Sequence, residues 1–325
     1  MKKKRNGTLG AFLVALLVLF SLLGPLLATH NPLTSDFTNA VSPDQTPVGP
    51  SWSFPLGADR LFRDQFARLA HGARLSLCMA LLATLLATFL GTTLGITTGF
   101  LAGSRTRTPW PLLLGALASL VLALAGNPLT AAVVLAVSIP LTWSVPWLQK
   151  GPAIDFDGLL MRAVDIGLAF PFLLLVMAIG AALDETTPTT VVLVLGLTGW
   201  LGTVRIVRSK TLEVRSREFV TASRALGQSP IGIILRHVLP NVFPVVWVLA
   251  SSQVASMILA EAALSYLGVG LAPPTPTWGH MLFEGQDYLQ TAPWMVLGPA
   301  AAILVSVLGF NLLGEALHDG LDPHL

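Results

Sequence analysis

Long apolar stretches alternate with short polar ones along the whole chain. Predominantly apolar runs occupy 10–29, 74–101, 110–126, 129–148, 159–183, 189–207, 241–264 and 292–313. A helix needs about 20 such residues to cross a bilayer core. Backbone inside lipid must satisfy its own hydrogen bonds, which leaves helices or closed barrels. Barrel strands would show short alternating segments, and these runs do not. The pattern predicts an all-α polytopic membrane protein. Residues 218–240 break it with a polar, helix-prone segment between two apolar runs. Phe219, Ala222, Ser223 and Leu226 follow helical spacing, with Arg215, Arg217, Glu218 and Arg224 around them. Gly227 interrupts, Ser229 offers an N-cap hydroxyl, and Pro230 suits a first helical turn. A second short helix would place Ile231, Ile234, Leu235 and Val238 on one side and end at Pro240. Two short helices meeting at a glycine make a knob outside the bilayer. The residues alone leave two uses open: docking to a partner, or lying on anionic lipid.

Charge sets the expected topology. Cytoplasmic loops carry excess Lys and Arg. With the N-terminus inside, 1–9, 102–109, 149–163 and 204–240 are cytoplasmic and hold 15 of the 19 Lys and Arg. The other four, Arg60, Arg63, Arg68 and Arg74, share one outside stretch. An even helix count returns the C-terminus to the cytoplasm. Lys2 to Arg5 followed by an apolar run also resembles the start of a signal peptide. The run from Phe12 to Ala28 is longer than a usual signal core and its cleavage site is weak, so a retained membrane helix is expected.

Composition agrees and excludes other classes. Mean hydropathy is +0.72, 53% of residues are hydrophobic and 11% charged, which suits a membrane protein. The net charge of +2 is nearly balanced. The basic residues follow topology, so no nucleic-acid partner is needed to explain them. Cys78 is the single cysteine, which rules out a disulfide framework; it is expected to pack inside its helix. The six histidines at 30, 71, 237, 280, 318 and 324 lack metal-ligand spacing, so no metal is expected. No constellation of nucleophile and base stands out, so no catalytic residues are expected. No phosphate-binding loop of the form G-x-x-x-x-G-K-[ST] occurs, so any ATP hydrolysis must come from another polypeptide.

Ionisable residues inside spans are candidates for function. Glu261 lies near the outer end of run 241–264 and could line a solute path, with Gln253 and Asn311 as further interior candidates. Asp165 is expected to pair with Arg162 at i,i+3. The outside loop 30–73 opens with Pro32, Pro43, Pro47, Pro50 and Pro55, which suits an extended lid. Residues 60–73 are expected to form an amphipathic helix. Phe62, Phe66 and Leu69 face one way; Arg60, Arg63, Arg68 and His71 face the other. Arg60, Arg63 and Arg68, with Trp278 beside Glu284 and Asp287, are candidate contacts for a delivering protein. The apolar face itself is more simply a rest on the outer membrane surface.

Several ordered motifs carry a family resemblance. Thr221-Ala222-Ser223, then Gly227, resembles the E-A-A-x-x-x-G of ABC-importer permeases. His237-Val238-Leu239-Pro240-Asn241 resembles the H-x-L-P-N of their dipeptide, oligopeptide and nickel branch. Pro55 to Asp64, running on through Ala73-Arg74-Leu75-Ser76-Leu77, is similar to P-L-G-T-D-x-x-G-R-D…G-A-R-x-S-L. Glu261 to Gly268, then Pro273 to Gly279, resembles E-S-A-L-S-F-L-G…P-P-T-P-S-W-G. The ending Asn311 to Gly314 and Leu321 to Pro323 also fits. Thr221 and Ser223 depart from the pattern where the family has Glu and Ala. The resemblance implies a six-helix permease core. The insert 104–155, two apolar runs joined at Asn127-Pro128, would add a spanning or re-entrant hairpin for about eight membrane helices. The expected division is 1–73 (first helix and extracytoplasmic loop) and 74–325 (transmembrane domain, coupling loop 211–240). Implied partners are a homologous permease, two ABC ATPases that bind ATP and Mg, an extracytoplasmic solute-binding protein and membrane lipid. The implied function is import of peptides or a similar small solute across the cytoplasmic membrane. Glu218, Thr221, Ala222, Ser223, Gly227, Ser229, Pro230, His237, Leu239 and Pro240 would form the ATPase-coupling loop. A secondary transporter or channel not coupled to ATP would instead show inverted repeats and broken helices with intramembrane charges.

Overall fold

In the computed structural model, residues 2–103, 106–107, 153–182 and 186–321 are described. Nine helices carry the fold among them: α1 (Lys2–Leu27), α2 (Gln65–Leu101), α3 (Phe156–Ala169), α4 (Phe172–Ala181), α5 (Pro188–Arg215), α6 (Glu218–Ala225), α7 (Pro230–Tyr266), α8 (Trp278–Gly285) and α9 (Trp294–Leu321). Five are long and apolar enough to cross a membrane, six if α3 and α4 form one bent span. The two apolar runs of the insert, 110–126 and 129–148, lie outside the described residues. Its ends do not: strands β1 (Thr106–Arg107) and β2 (Ala153–Ile154) pair antiparallel, so the insert leaves and returns at one point.

α2 and α5 form the tightest pair, α1 packs on α9, and α7 packs on α2 and α9. Glycine sets the α2–α5 approach. Gly91, Gly95 and Gly99 recur every four residues and face Thr203, Val207 and Thr211. A Cβ on Gly95 would sit 2.8 Å from the Val207 Cβ and 2.9 Å from the Val204 carbonyl oxygen. Small residues at such spacing let helix backbones meet in lipid, where dispersion replaces the hydrophobic effect. Gly95→Leu is expected to cost roughly 3 kcal/mol by overpacking against backbone that cannot move aside. A fall in folded yield and thermal midpoint in detergent checks this; a wild-type midpoint contradicts it.

The run 159–183 is not one straight span. α3 and α4 meet at 87° across Phe170-Pro171. Proline bars its predecessor from the α region, and Phe170 is extended at φ −86, ψ 136. Elsewhere proline is absorbed. Pro25, Pro244 and Pro299 all sit inside helices, as neighbours permit in membrane bundles. Pro240 likewise does not end its helix. A π-turn over Ile234–Val238 carries the chain through it, so α7 runs unbroken from Pro230 to Tyr266.

The loop between α1 and α2 is compact, contrary to the expected extended lid. Bridges join Val41 to Pro47 and Ala58 to Asp64, and Ala40, Phe54 and Ala58 form a small core. The helix expected from residue 60 begins at Gln65, capped by the Asp64 carboxylate accepting from Phe66 and Ala67 N–H. Phe62 precedes it in a left-handed turn at φ 57. The expected boundary at residue 73 therefore falls inside α2. Cys78 lies on α2 but is exposed rather than packed inside. Asp165 pairs with Arg205 of α5, not with Arg162. The bend at Phe170-Pro171 leaves α3 packed along α5, where Asp157 also takes Arg208 through two bonds of 2.5 and 2.6 Å.

Candidate functional site

The knob stands at one end of the bundle, where α5 stops at Arg215. Arg215 Nη1 donates to the Ala102 carbonyl at 2.7 Å, which ties this end to the last turn of α2. α6 follows and closes on Gly227. The Gly227 N–H reaches the Arg224 carbonyl at 3.0 Å and the Gln228 N–H reaches the Ser223 carbonyl at 3.1 Å. That pair of bonds is a Schellman closure, which needs a left-handed residue. Gly227 supplies it at φ +76. Ser229 then caps α7 by accepting from Gly232 N–H at 3.2 Å, with Pro230 in the first turn.

A polar clasp holds the two helices of the knob. His237 Nε2 lies 3.1 Å from Ser223 Oγ and 3.3 Å from Gln228 Oε1. The Phe219 ring stands 5.9 Å from the His237 ring. Asn241 Nδ2 donates to the His237 carbonyl at 2.7 Å. Beneath the clasp, Val220, Ile233 and Val238 are buried with Val214, Ile96 and Phe100. Arg224 covers the Phe100 ring at 5.1 Å. The apolar stripes expected from spacing divide differently. Val238 packs inward, while Phe219, Leu226, Ile231 and Leu235 face outward; Leu226 is 87% exposed and Ile231 70%. Glu218, Thr221, Ala222 and Pro240 are exposed, and Leu239 is half-buried.

A half-open cavity of about 330 Å³ lies where the α3–α4 bend meets α5 and α7. Phe170 and Phe172 line one side; Ser252, Gln253 and Ser256 line another. The Gln253 amide bonds to both neighbouring helices. Its Nε2 donates to the Gly199 carbonyl at 2.8 Å, and its Oε1 accepts from Thr203 at 3.3 Å and Thr88 at 3.4 Å. It bolts α2, α5 and α7 together at the cavity wall. Glu261 does not line this cavity. It is 1% exposed, and its Oε1 accepts from Ser265 Oγ at 2.8 Å. Asn311 is exposed on α9, away from the same cavity.

At the opposite end of the bundle, four charged residues interlock. Arg63 joins Asp59 at 2.6 Å and Glu284 at 2.7 Å. Arg68 joins Asp59 at 3.2 Å and Glu284 at 2.5 Å. All four are buried. Trp278 is fully buried too, its Nε1 donating to the Leu69 carbonyl at 3.3 Å. Arg63, Arg68 and Trp278 thus fasten the α1–α2 loop and α8 to α2 and present no outer contact surface. Arg60 stays 42% exposed at the edge. Burial alone would raise the Glu284 carboxyl. The neighbouring His280 ring and the Arg68 and Arg63 guanidinium groups outweigh it and lower the carboxyl to about 2. Sequence spacing offered one signal for this network, Asp59 and Arg63 four residues apart. Glu284, more than 200 residues away, had none. Among the described residues, no group of His, Cys, Asp or Glu is arranged to hold a metal.

A helical bundle with one broken span, a cavity at the break and a protruding knob defines a polytopic membrane transport component. Residues 155–325 match the family model described as binding-protein-dependent transport system inner membrane component. The chain is 34% identical over 321 residues to the di/tripeptide transport system permease protein DppC of Pseudomonas aeruginosa, covering 98% of this chain and 89% of that one. It is 29% identical over 325 residues to the oligopeptide transport system permease protein OppC of Bacillus subtilis, covering 100% and 87%. It is 38% identical over 167 residues to the Escherichia coli K12 oligopeptide permease OppC, covering 51% and 55%. The chain belongs to the family of binding-protein-dependent transport system inner-membrane components. It is a multi-pass permease subunit of an ABC transporter, not an enzyme.

Proposed function

We propose that this permease imports peptides, driven by ATP hydrolysed on two partner ATPase subunits that bind ATP and Mg. A homologous permease completes the pore, and a solute-binding protein delivers cargo on the outer face. The peptide assignment rests on the named relatives. The orientation rests on charge: the knob and its flanks carry Arg205, Arg208, Lys210, Arg215, Arg217, Arg224 and Arg236, which favours the cytoplasm. Both termini would then be cytoplasmic.

One observation supports coupling most directly. The second half of the knob and the cavity wall belong to the same continuous helix, α7. Leu235 and Gln253 are 18 positions apart on it, about 27 Å at 1.5 Å per residue. A partner that grips Phe219, Leu226, Ile231 and Leu235 therefore holds a lever whose far arm lines the cavity. Adding charge to that grip should release it. Leu226→Asp with Leu235→Asp is expected to leave insertion unchanged, because both side chains are exposed. ATPase subunits should no longer co-purify. Co-purification at wild-type yield would remove the exposed face from the coupling role.

A secondary transporter would share one feature of this chain, the α3–α4 break. The described ionisable groups of α3 lie toward the knob, where Asp165 pairs with Arg205, Asp157 pairs with Arg208 and Arg162 is exposed. The cavity lining itself carries none, which favours the ATP-coupled reading over one driven by an ion bound at the break.

A further inference from the structure

The cavity at the helix break continues toward the knob. A second opening of about 390 Å³, lined by Arg205, Ser209, Lys210, Glu213 and Val245, shares Ile206 with it. Together they make a groove between α5 and α7. On α5 it extends from Thr198 to Glu213, about 22 Å at 1.5 Å per residue. Its two parts differ in chemistry. The mouth near the knob holds both signs of charge, Arg205 and Lys210 with Glu213. Among the described residues, the chamber at the break holds no ionisable side chain.

The chamber offers aromatic surface from Phe170 and Phe172, and the exposed hydroxyls of Ser252 and Ser256 one turn apart on α7. Gln253 is committed to helix–helix bonds. Nothing there binds one charge in preference to the other. In a low-dielectric setting a single fixed charge would hold the opposite charge and repel its like. Gly202 lies on the chamber wall, is exposed, and a Cβ built on it meets no atom within 4 Å. Its neighbours along the helix are not so open: a Cβ on Gly199 would meet the Met257 Cε at 2.2 Å.

We infer that this groove is the chain's half of the solute path and that its chamber is a charge-neutral passage for peptide main chain, with Gly202 as the position that sets its charge preference. The inference rests on the peptide reading above and adds where the peptide passes and what it meets there. Hydroxyls and aromatic faces serve main-chain amides and varied side chains alike. A zwitterionic peptide would meet fixed charges only at the mouth.

The test uses the complete transporter in proteoliposomes, with Cys78→Ser as background. Cys78 is exposed, and the background is first confirmed to take up peptide as wild type does. Gly202→Cys is treated with cationic and anionic methanethiosulfonate reagents. Both are expected to react at rates within about threefold of each other, and either should lower uptake at least tenfold. Gly202→Glu and Gly202→Lys are then compared with wild type for uptake of a basic and an acidic tripeptide. The ratio of the two is expected to shift about tenfold in opposite directions, on the order of one charge pair at partly screened distance. Using the ratio removes the selection made by the delivering protein. Failure of Gly202→Cys to react, reaction without loss of uptake, or an unchanged ratio in both charge variants would overturn the inference. If the wild-type complex moves no peptide, the peptide reading falls by itself. The groove is then decided by whether the reactivity of Gly202→Cys changes on adding ATP; no change overturns it.

Discussion

Gly227→Val is expected to abolish uptake while the bundle folds and inserts normally. The residue sits at φ +76, where an L side chain costs roughly 1–2 kcal/mol and a β-branched one more. Space is not the obstacle, since a Cβ there meets no atom within 4 Å. The strain is in the backbone, and it falls on the two bonds that close α6, from Gly227 N–H to Arg224 and from Gln228 N–H to Ser223. Losing them turns the outward face of α6 away from that of α7 and opens the clasp from His237 to Ser223. Asparagine tolerates the left-handed region, so Gly227→Asn should keep much of the uptake. Uptake and ATPase co-purification at matched expression separate the two variants. Wild-type uptake in Gly227→Val would return the knob to the lipid-surface reading.

Arg68→Ala is expected to cost about 3–5 kcal/mol, the usual range when one partner is removed from a buried ion pair. Arg68 is fully buried, and its loss leaves Asp59 to Arg63 alone and Glu284 to Arg63, with Arg60 at 3.7 Å and the His280 ring at 3.5 Å. The loop core around Phe54 and the helix α8 should loosen together, because both hang on this network. Thermal inactivation in detergent measures it; a midpoint shift under about 2 °C would contradict it. The same network predicts an acid limit. The Glu284 carboxyl is held at about 2 in the folded chain against an ordinary 4.5. A depressed carboxyl stabilises fully above its unfolded value and loses that contribution as pH falls through its folded value. The stability gap between wild type and Glu284→Gln should therefore be constant above about pH 5 and shrink as the pH falls from 4.5 toward 2. Midpoints taken across that range check the sign.

Much of this architecture was legible in the chain. Apolar runs located α1, α2, α5, α7 and α9, because a bilayer imposes length and composition on anything that crosses it. The knob was legible for a local reason. Gly227, Ser229 and Pro230 act within a few residues of themselves, and capping chemistry is written in adjacent positions. Long-range facts were not. Nothing near Arg63 or Arg68 announces Glu284, so two buried arginines looked like surface charge on an amphipathic helix. Pro171 lies inside the apolar run 159–183, and Pro240 was expected to end its helix. One breaks its helix by 87° and the other is carried through a π-turn, and neighbouring packing decides which occurs. Gln253 lies at the cavity wall. Its role as a bolt between Gly199, Thr203 and Thr88 depends on three helices meeting, which spacing along one of them does not reveal.

Solute movement through this chain is expected to be driven from the knob by ATP hydrolysis on separate subunits. The most direct measurement is peptide uptake by proteoliposomes holding this chain, its partner permease, the two ATPases and the delivering protein, with ATP inside or with an ion gradient alone. Uptake is expected only with ATP and all components present, and the isolated chain should hydrolyse none. Accumulation driven by an ion gradient through this chain without ATPase subunits would contradict the account.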